Sequence, residues 1–307
     1  MSLQFIFGNS GSGKSDWLYT YVLQQAEIYP QKNFLFLVPE QFTMQTQKEF
    51  VSRHPQHAIL NIDVLSFQRL AYRVFDDLGM MDFVVLEETG KNLVLRNVAS
   101  DKQNQLQLLG GSMRKTGYIS EIKSLISELT QYHVSLEELE QARDLLEQKN
   151  ALWYKLNDIT TLYRGFQQFL EGRYVTADEM INLLTKAAPE SQMLRGSVVV
   201  LDGYTGFTPV QNEFLEELLG LAERVHVAVT IDAREPVYGK PEISDLFYLS
   251  KQTVWSLQEI ARRKRVELMD PVLLGHGQKK RYVNAPAIFH LEQNLFRTRP
   301  AKYMQDE

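Results

Sequence analysis

The chain has 307 residues, 44% apolar and 23% charged, with a formal net charge of -5 and no cysteine. That balance suits a globular chain of one large domain or two ordinary ones and argues against wholesale disorder. It excludes disulfides, thiolate metal sites and cysteine nucleophiles within the chain; without a basic overall field, any nucleic-acid contact must come from a local groove.

Leu3 to Phe7 (LQFIF) reads as a short buried strand running into the glycine-rich stretch GNSGSGKS. From Lys14, KSDWLYTYVLQQAEIY has helical spacing, with Trp17, Leu18, Tyr21, Val22 and Ala26 facing inward. Phe34 to Val38 is a continuous apolar run, the mark of a parallel strand covered on both faces. Pro39 ends it, and FTMQTQKEFV resumes as a helix. Ile59 to Leu65 is a third predicted strand, followed by the helix SFQRLAYRVFDDL with Ser66 as its cap. Short links between alternating strands and helices are the pattern of a doubly wound parallel sheet.

Residues 84–190 then turn almost wholly helical in period, punctuated by Gly110-Gly111 and Gly172. Strand signals return at Ser197 to Leu201 and Val225 to Ile231, on either side of a helix from Pro209 to Leu221. GHGQKKR, residues 275–281, reads as an exposed loop or hairpin tip. The simplest organisation is an α/β sheet domain over 1–83 and 191–292, a helical insertion over 84–190, and a polar tail over 293–307. No apolar run approaches the roughly 20 residues that cross a bilayer. The lack of a signal peptide and the nucleotide loop together predict the cytoplasm.

GNSGSGKS spells G-x-x-x-x-G-K-[ST], placed between a strand and a helix as phosphate binding requires. Glycines let successive N–H groups curl around one anion. The predicted loop is Gly8, Asn9, Ser10, Gly11, Ser12, Gly13, Lys14 and Ser15, with Lys14 reaching the β- and γ-phosphates of ATP. Ser15 and Asp202, at the end of the strand VVVL, are the predicted magnesium ligands; a turn cap is the alternative role for Asp202. The residue after Asp202 is Gly203, where an ATPase needs a glutamate, and glycine cannot orient or deprotonate water. The expectation is a site that grips nucleotide with little hydrolysis. Other metal sites are not expected: Pro55 breaks the helix that would align His54 with His57.

The order FGNSGSGKS, FLFLVPEQFTMQ, VLSFQRLAYRVF, VVVLDGYTGFTPVQNEFLEELL and VAVTID resembles the motor order of superfamily 1 helicases, and more specifically the AddB family of bacterial AddAB helicase–nucleases. GYISEIKSLISELTQYHVSLEEL and KLNDITTLYRGFQQFLEGRYVTADEMINLL share that likeness. The resemblance implies a RecA-like P-loop sheet (helicase 1A-like) interrupted by a helical, 1B-like insertion, at the N-terminal end of a longer protein. It implies an AddA-type partner that supplies the active motor, double-stranded DNA ends as substrate, and recognition of a Chi sequence in single-stranded DNA. It also implies a nuclease domain with a cysteine-bound iron–sulfur cluster beyond residue 307.

By the same resemblance, Glu40, Gln41, Thr43, Phe67, Arg69 and Tyr72 align with Chi-reading positions, and Tyr204 and Phe207 join them. Gln41, Thr43 and Arg69 suit hydrogen bonds to bases or phosphates, while Phe67 and Tyr72 suit stacking, with the helix core as their alternative. Arg69 also suits bidentate reading of guanine. Thr230 to Glu235 (TIDARE) lacks the γ-phosphate-sensing Gln of ordinary relatives, and the family's second motor domain is absent from these residues. Two readings stay open beside this one. One is an active P-loop ATPase or kinase, with Glu213 or Glu216 recruited for water; the other is a scaffold with a vestigial loop.

Overall fold

The computed structural model describes residues 1–80, 83–113, 115–146, 150–232, 234–275, 280–295, 297 and 299–303. Parts of three expected features lie outside the described residues: 147–149 of the helical stretch, 276–279 of the 275–281 loop, and 296, 298 and 304–307 of the tail.

In chain order, the apolar run Ser2–Gly8 forms β1 and feeds the glycine loop, after which α1 spans Lys14–Ile28. Next come β2 (Phe34–Leu37), α2 (Thr43–Arg53), β3 (Ile62–Leu65) and α3 (Phe67–Leu78). Then follow β4 (Val84–Leu86), α4 (Glu88–Asp101), α5 (Thr116–Gln131), α6 (Leu136–Asp144), α7 (Ala151–Leu170), β5 (Tyr174–Thr176) and α8 (Ala177–Ala187). The chain continues through β6 (Val198–Leu201), α9 (Pro209–Leu221), β7 (Arg224–Thr230), α10 (Tyr248–Lys264), β8 (Glu267–Leu268), β9 (Val272–Leu273) and α11 (Pro286–Asn294). These elements divide into two compact units: Met1–Leu70, Ser191–Phe207 and Leu215–Glu307 form one, and Ala71–Glu190 with Thr208–Phe214 the other.

The first unit holds a parallel sheet in the order β3-β2-β6-β7-β1-β8, with β9 also on β1. Register runs Phe34 opposite Val198, Val198 opposite Arg224, and Ser2 opposite Arg224. β2 and β6 are buried at every position, because helices cover both faces of a parallel sheet. Ile6, Phe36, Val200 and Ala228 from the strands meet Leu18, Val22 and Phe50 from α1 and α2 in one apolar cluster. The mixed, mostly parallel α/β architecture read from the sequence is the one observed.

Boundaries differ where side chains outweigh pattern. β3 begins at Ile62, not Ile59, since Leu60 points into solvent and the Asn61 side-chain amide donates to the carbonyls of Ala26, Tyr29 and Lys32. That amide fixes the chain's entry to the strand. Trp17 and Tyr21 are half-buried and stack on one another, and both turn ring faces or edges toward His226.

The second unit is helical, with one short parallel pair, β4 and β5, inside the stretch read as helix. Its core joins Leu95, Ile119, Leu162 and Phe166 from α4, α5 and α7. Asp158 is fully buried there, its carboxylate accepting from the backbone N–H groups of Gln107, Leu108 and Leu109. Among the described residues no helix is long and apolar enough to cross a membrane.

Candidate functional site

The carboxyl ends of β1, β6 and β7 open onto a cleft of about 800 Å³ lined by the glycine loop, the start of α1 and the residues after β6. Ligand sites of open α/β sheets form at this end of the strands. Gly8 has no room for a side chain: a Cβ would come within 2.3 Å of the Ser12 hydroxyl and 2.4 Å of the Leu274 carbonyl. Gly11 (φ +75) and Gly13 (φ +93) adopt the left-handed backbone that turns the loop into α1. α1 therefore starts at Lys14 with its N-terminal N–H groups toward the cleft, the polarity that attracts anions.

Lys14 is buried, and its ammonium donates to the carbonyls of Gly8 (2.7 Å) and Asn9 (2.9 Å), closing the loop on itself. Asp202 follows β6 and is buried; burial pushes its carboxyl pKa up, opposed by a hydrogen bond from Ser15 and by the Lys14 charge. Lys14, Ser15 and Asp202 thus meet at the cleft although Asp202 is distant in sequence. This set fits a nucleotide with magnesium: a glycine cradle, a cation, and a hydroxyl–carboxylate pair of the hard oxygen type that magnesium takes. Asn9 is half-buried at the loop's start, donating to Glu292, while Ser10 is exposed at its tip.

Gly203 has φ +79, and the carboxylates among the described residues lining the cleft are Asp16 and Asp202. Glu216 pairs with Arg263 at 2.7 Å and is not among the lining residues. Glu213 faces His133 in the helical unit at 3.2 Å. No group of three or more His, Cys, Asp or Glu able to hold a metal occurs among the described residues.

Beside the cleft, the segments after β2, β3 and β6 form a second surface. Glu40 and Gln41 are exposed, and Arg69, with 55% of its side chain exposed, pairs with Glu40 at 2.8 Å. The Ser66 hydroxyl also donates to Glu40; this bond, with help from Arg69, holds the Glu40 carboxyl below its usual range. Ser66 additionally accepts from the Arg69 N–H, acting as the predicted cap of α3. Thr43 is buried, its hydroxyl donating to the Glu40 carbonyl. Phe67 is only 5% exposed and packs with Tyr204 (5.3 Å) and Phe207 (6.2 Å), which are 5.2 Å from each other. Burial raises the Tyr204 hydroxyl pKa, as does nearby Glu40. Tyr72 is half-buried further along α3 and belongs to the helical unit.

Two features have no sequence signal strong enough to find them. Phe42 is an aromatic 43% exposed beside Gly203, in a segment whose polar residues are the more obvious DNA-reading candidates. Arg281 reaches the phosphate loop from residues far along the chain, its guanidinium 3.3 Å from the Ser10 hydroxyl. The basic run GHGQKKR is the available hint, and its pattern suggests only an exposed tip.

A family model described as "ADDB, N-terminal" matches residues 5–292. The chain is 41% identical over 300 residues to the AddB subunit of the ATP-dependent helicase/deoxyribonuclease of Lachnoclostridium phytofermentans, covering 97% of this chain and 26% of that protein. Identically named proteins of Desulforudis audaxviator and Desulforamulus reducens are 36% and 32% identical, over 98% and 97% of this chain and 26% of each relative. The chain thus spans about a quarter of the length of the curated relatives it matches. With that match running through the phosphate loop, the helical unit and the strands on either side of it, this chain belongs to the AddB N-terminal family.

Proposed function

We propose that this chain is the ATP-binding, single-stranded-DNA-reading region of an AddB-type protein, acting with an AddA-type partner on double-stranded DNA ends in recombinational repair. ATP and magnesium lie at Gly8 to Ser15 with Asp202, and the nucleotide is held with little or no hydrolysis by this region alone. The observation that carries the reading is the meeting of Lys14, Ser15 and Asp202 at a cleft where Gly203 takes the place of a water-orienting glutamate. Gly203 does more than lack a carboxylate: its left-handed backbone is a conformation that residues with a Cβ adopt only at a cost.

Bound magnesium would neutralise phosphate charge. The chain's own residues do the rest: the loop N–H groups cradle oxygens, Lys14 exchanges its carbonyl partners for phosphate, and Ser15 and Asp202 fix the metal. DNA recognition is assigned to the neighbouring surface, where Gln41 and Arg69 offer hydrogen bonds. Recognition of a Chi sequence and a cytoplasmic location complete the proposal.

The test is ATP binding and steady-state turnover by the intact protein, with and without single-stranded DNA. Tight magnesium-dependent binding, lost in Lys14→Ala, with turnover near background is expected. Robust DNA-stimulated turnover that Lys14→Ala abolishes would overturn the inactive-motor reading.

A further inference from the structure

We propose that Arg281 is a phosphate ligand of this nucleotide cleft and that it couples cleft occupancy to α11. The inference rests on nucleotide binding at Gly8 to Ser15 and extends it to residues outside that motif.

Lys14 and Arg281 are the cationic side chains among the described residues lining the cleft. Lys14 is engaged by its own loop, whereas the guanidinium of Arg281 has a neutral partner, the Ser10 hydroxyl at 3.3 Å. That contact is long for a hydrogen bond and easily exchanged. The carboxylate Asp16 is already answered by Arg53 at 2.7 Å, so Arg281 is not needed to balance it. A magnesium–nucleoside triphosphate remains anionic, and a guanidinium fork is the side chain suited to bidentate phosphate contact.

The stem of Arg281 lies on Gly11, where a Cβ would stand 2.6 Å from Arg281 Cδ. Absence of a side chain at Gly11 therefore serves the approach of Arg281 as well as the turn. The turn bearing Arg281 is tied to α11 by Tyr282 against Phe289, with ring centroids 5.7 Å apart. α11 touches the loop a second time, where the Asn9 amide donates to Glu292 at 2.7 Å. Beside it, Arg234 donates to the Gln293 carbonyl at 3.2 Å. When Arg281 leaves Ser10 for phosphate oxygens, the turn and α11 are drawn to the occupied loop.

The experiment measures ATP affinity of the intact protein and amide exchange in residues 286–294, for wild type, Arg281→Ala, Arg281→Lys and the remote control Arg263→Ala. Arg281→Ala is expected to weaken ATP about ten- to a hundredfold. Arg281→Lys should recover part of that loss, and Arg263→Ala should bind as wild type does. ATP should slow exchange in 286–294 of the wild type and not of Arg281→Ala. If wild type binds no ATP, the nucleotide reading falls and this inference with it. If wild type binds and Arg281→Ala binds equally well, or α11 exchange ignores ATP, only the inference falls.

Discussion

Glu40 and Arg69 hold one another at 2.8 Å on the surface formed after β2 and β3, with more than half of each side chain open to solvent. An exposed pair of this kind contributes about 0–1 kcal/mol to stability, so its persistence points to positioning. Arg69→Ala is expected to leave the unfolding midpoint nearly unchanged while weakening single-stranded DNA about tenfold. The plot of log affinity against log salt should become shallower by about one phosphate contact. Fluorescence anisotropy with a labelled oligonucleotide across a salt series measures both quantities.

Gly203 supports a prediction about what cannot be restored. A Cβ there would meet Pro39 and Phe42 at ordinary distances of 3.5 and 3.7 Å, so space is not the obstacle; the backbone at φ +79 is. Gly203→Ala should cost about 1–2 kcal/mol in denaturant unfolding. Gly203→Glu should incur the same strain without gaining DNA-stimulated ATP turnover. A vigorous ATPase from Gly203→Glu would show that one missing carboxylate was the whole difference.

His226 is fully buried in β7 between Trp17 and Tyr21, neither ring nitrogen has a hydrogen-bond partner, and burial drives its pKa down to about 3. The folded chain thus keeps this imidazole neutral while the unfolded chain protonates it near pH 6.5. Its stability contribution is fully present above pH 6.5 and falls as pH drops from 6.5 toward 3. The slope approaches about 1.4 kcal/mol per pH unit. His226→Phe should flatten that slope in denaturation measured between pH 7 and pH 4.5.

Asp158 should be the most sensitive polar position of the helical unit. Asp158→Ala strands three backbone N–H groups, those of Gln107, Leu108 and Leu109. A loss of about 3 kcal/mol or more is expected by chemical denaturation. Asp158→Asn keeps one acceptor oxygen and should lose less.

The sheet was legible because its strands are buried on both faces and read as unbroken apolar runs between short links, as in FLFLV and SVVVL. The strand–loop–helix setting of GNSGSGKS was legible for the same reason. β8 and β9 were not: two residues each carry no periodicity, and they exist because the outer edge of β1 offers carbonyls to Met269 (2.9 Å) and Leu274 (2.8 Å). At the candidate site, aromatic identity misled more than polar identity did. Phe67 and Phe42 look equally suited to stacking in the sequence, yet neighbours cover one and leave the other exposed. Arg281 was beyond reach, since no spacing rule links it to a loop some 270 positions earlier.

The register of β1 also bears on how the chain acquires this form. β1 pairs with β7, β8 and β9, so its nearest sheet partner in sequence starts at Arg224. During synthesis the first strand and its phosphate loop leave the ribosome without a neighbour to pair with. The helical unit, whose contacts are nearer in sequence, can consolidate earlier. A nascent chain arrested before residue 224 would therefore carry the complete loop sequence with no sheet to hold its curve. Nucleotide, in this order of events, meets a finished cleft only after the strand that closes it has been made.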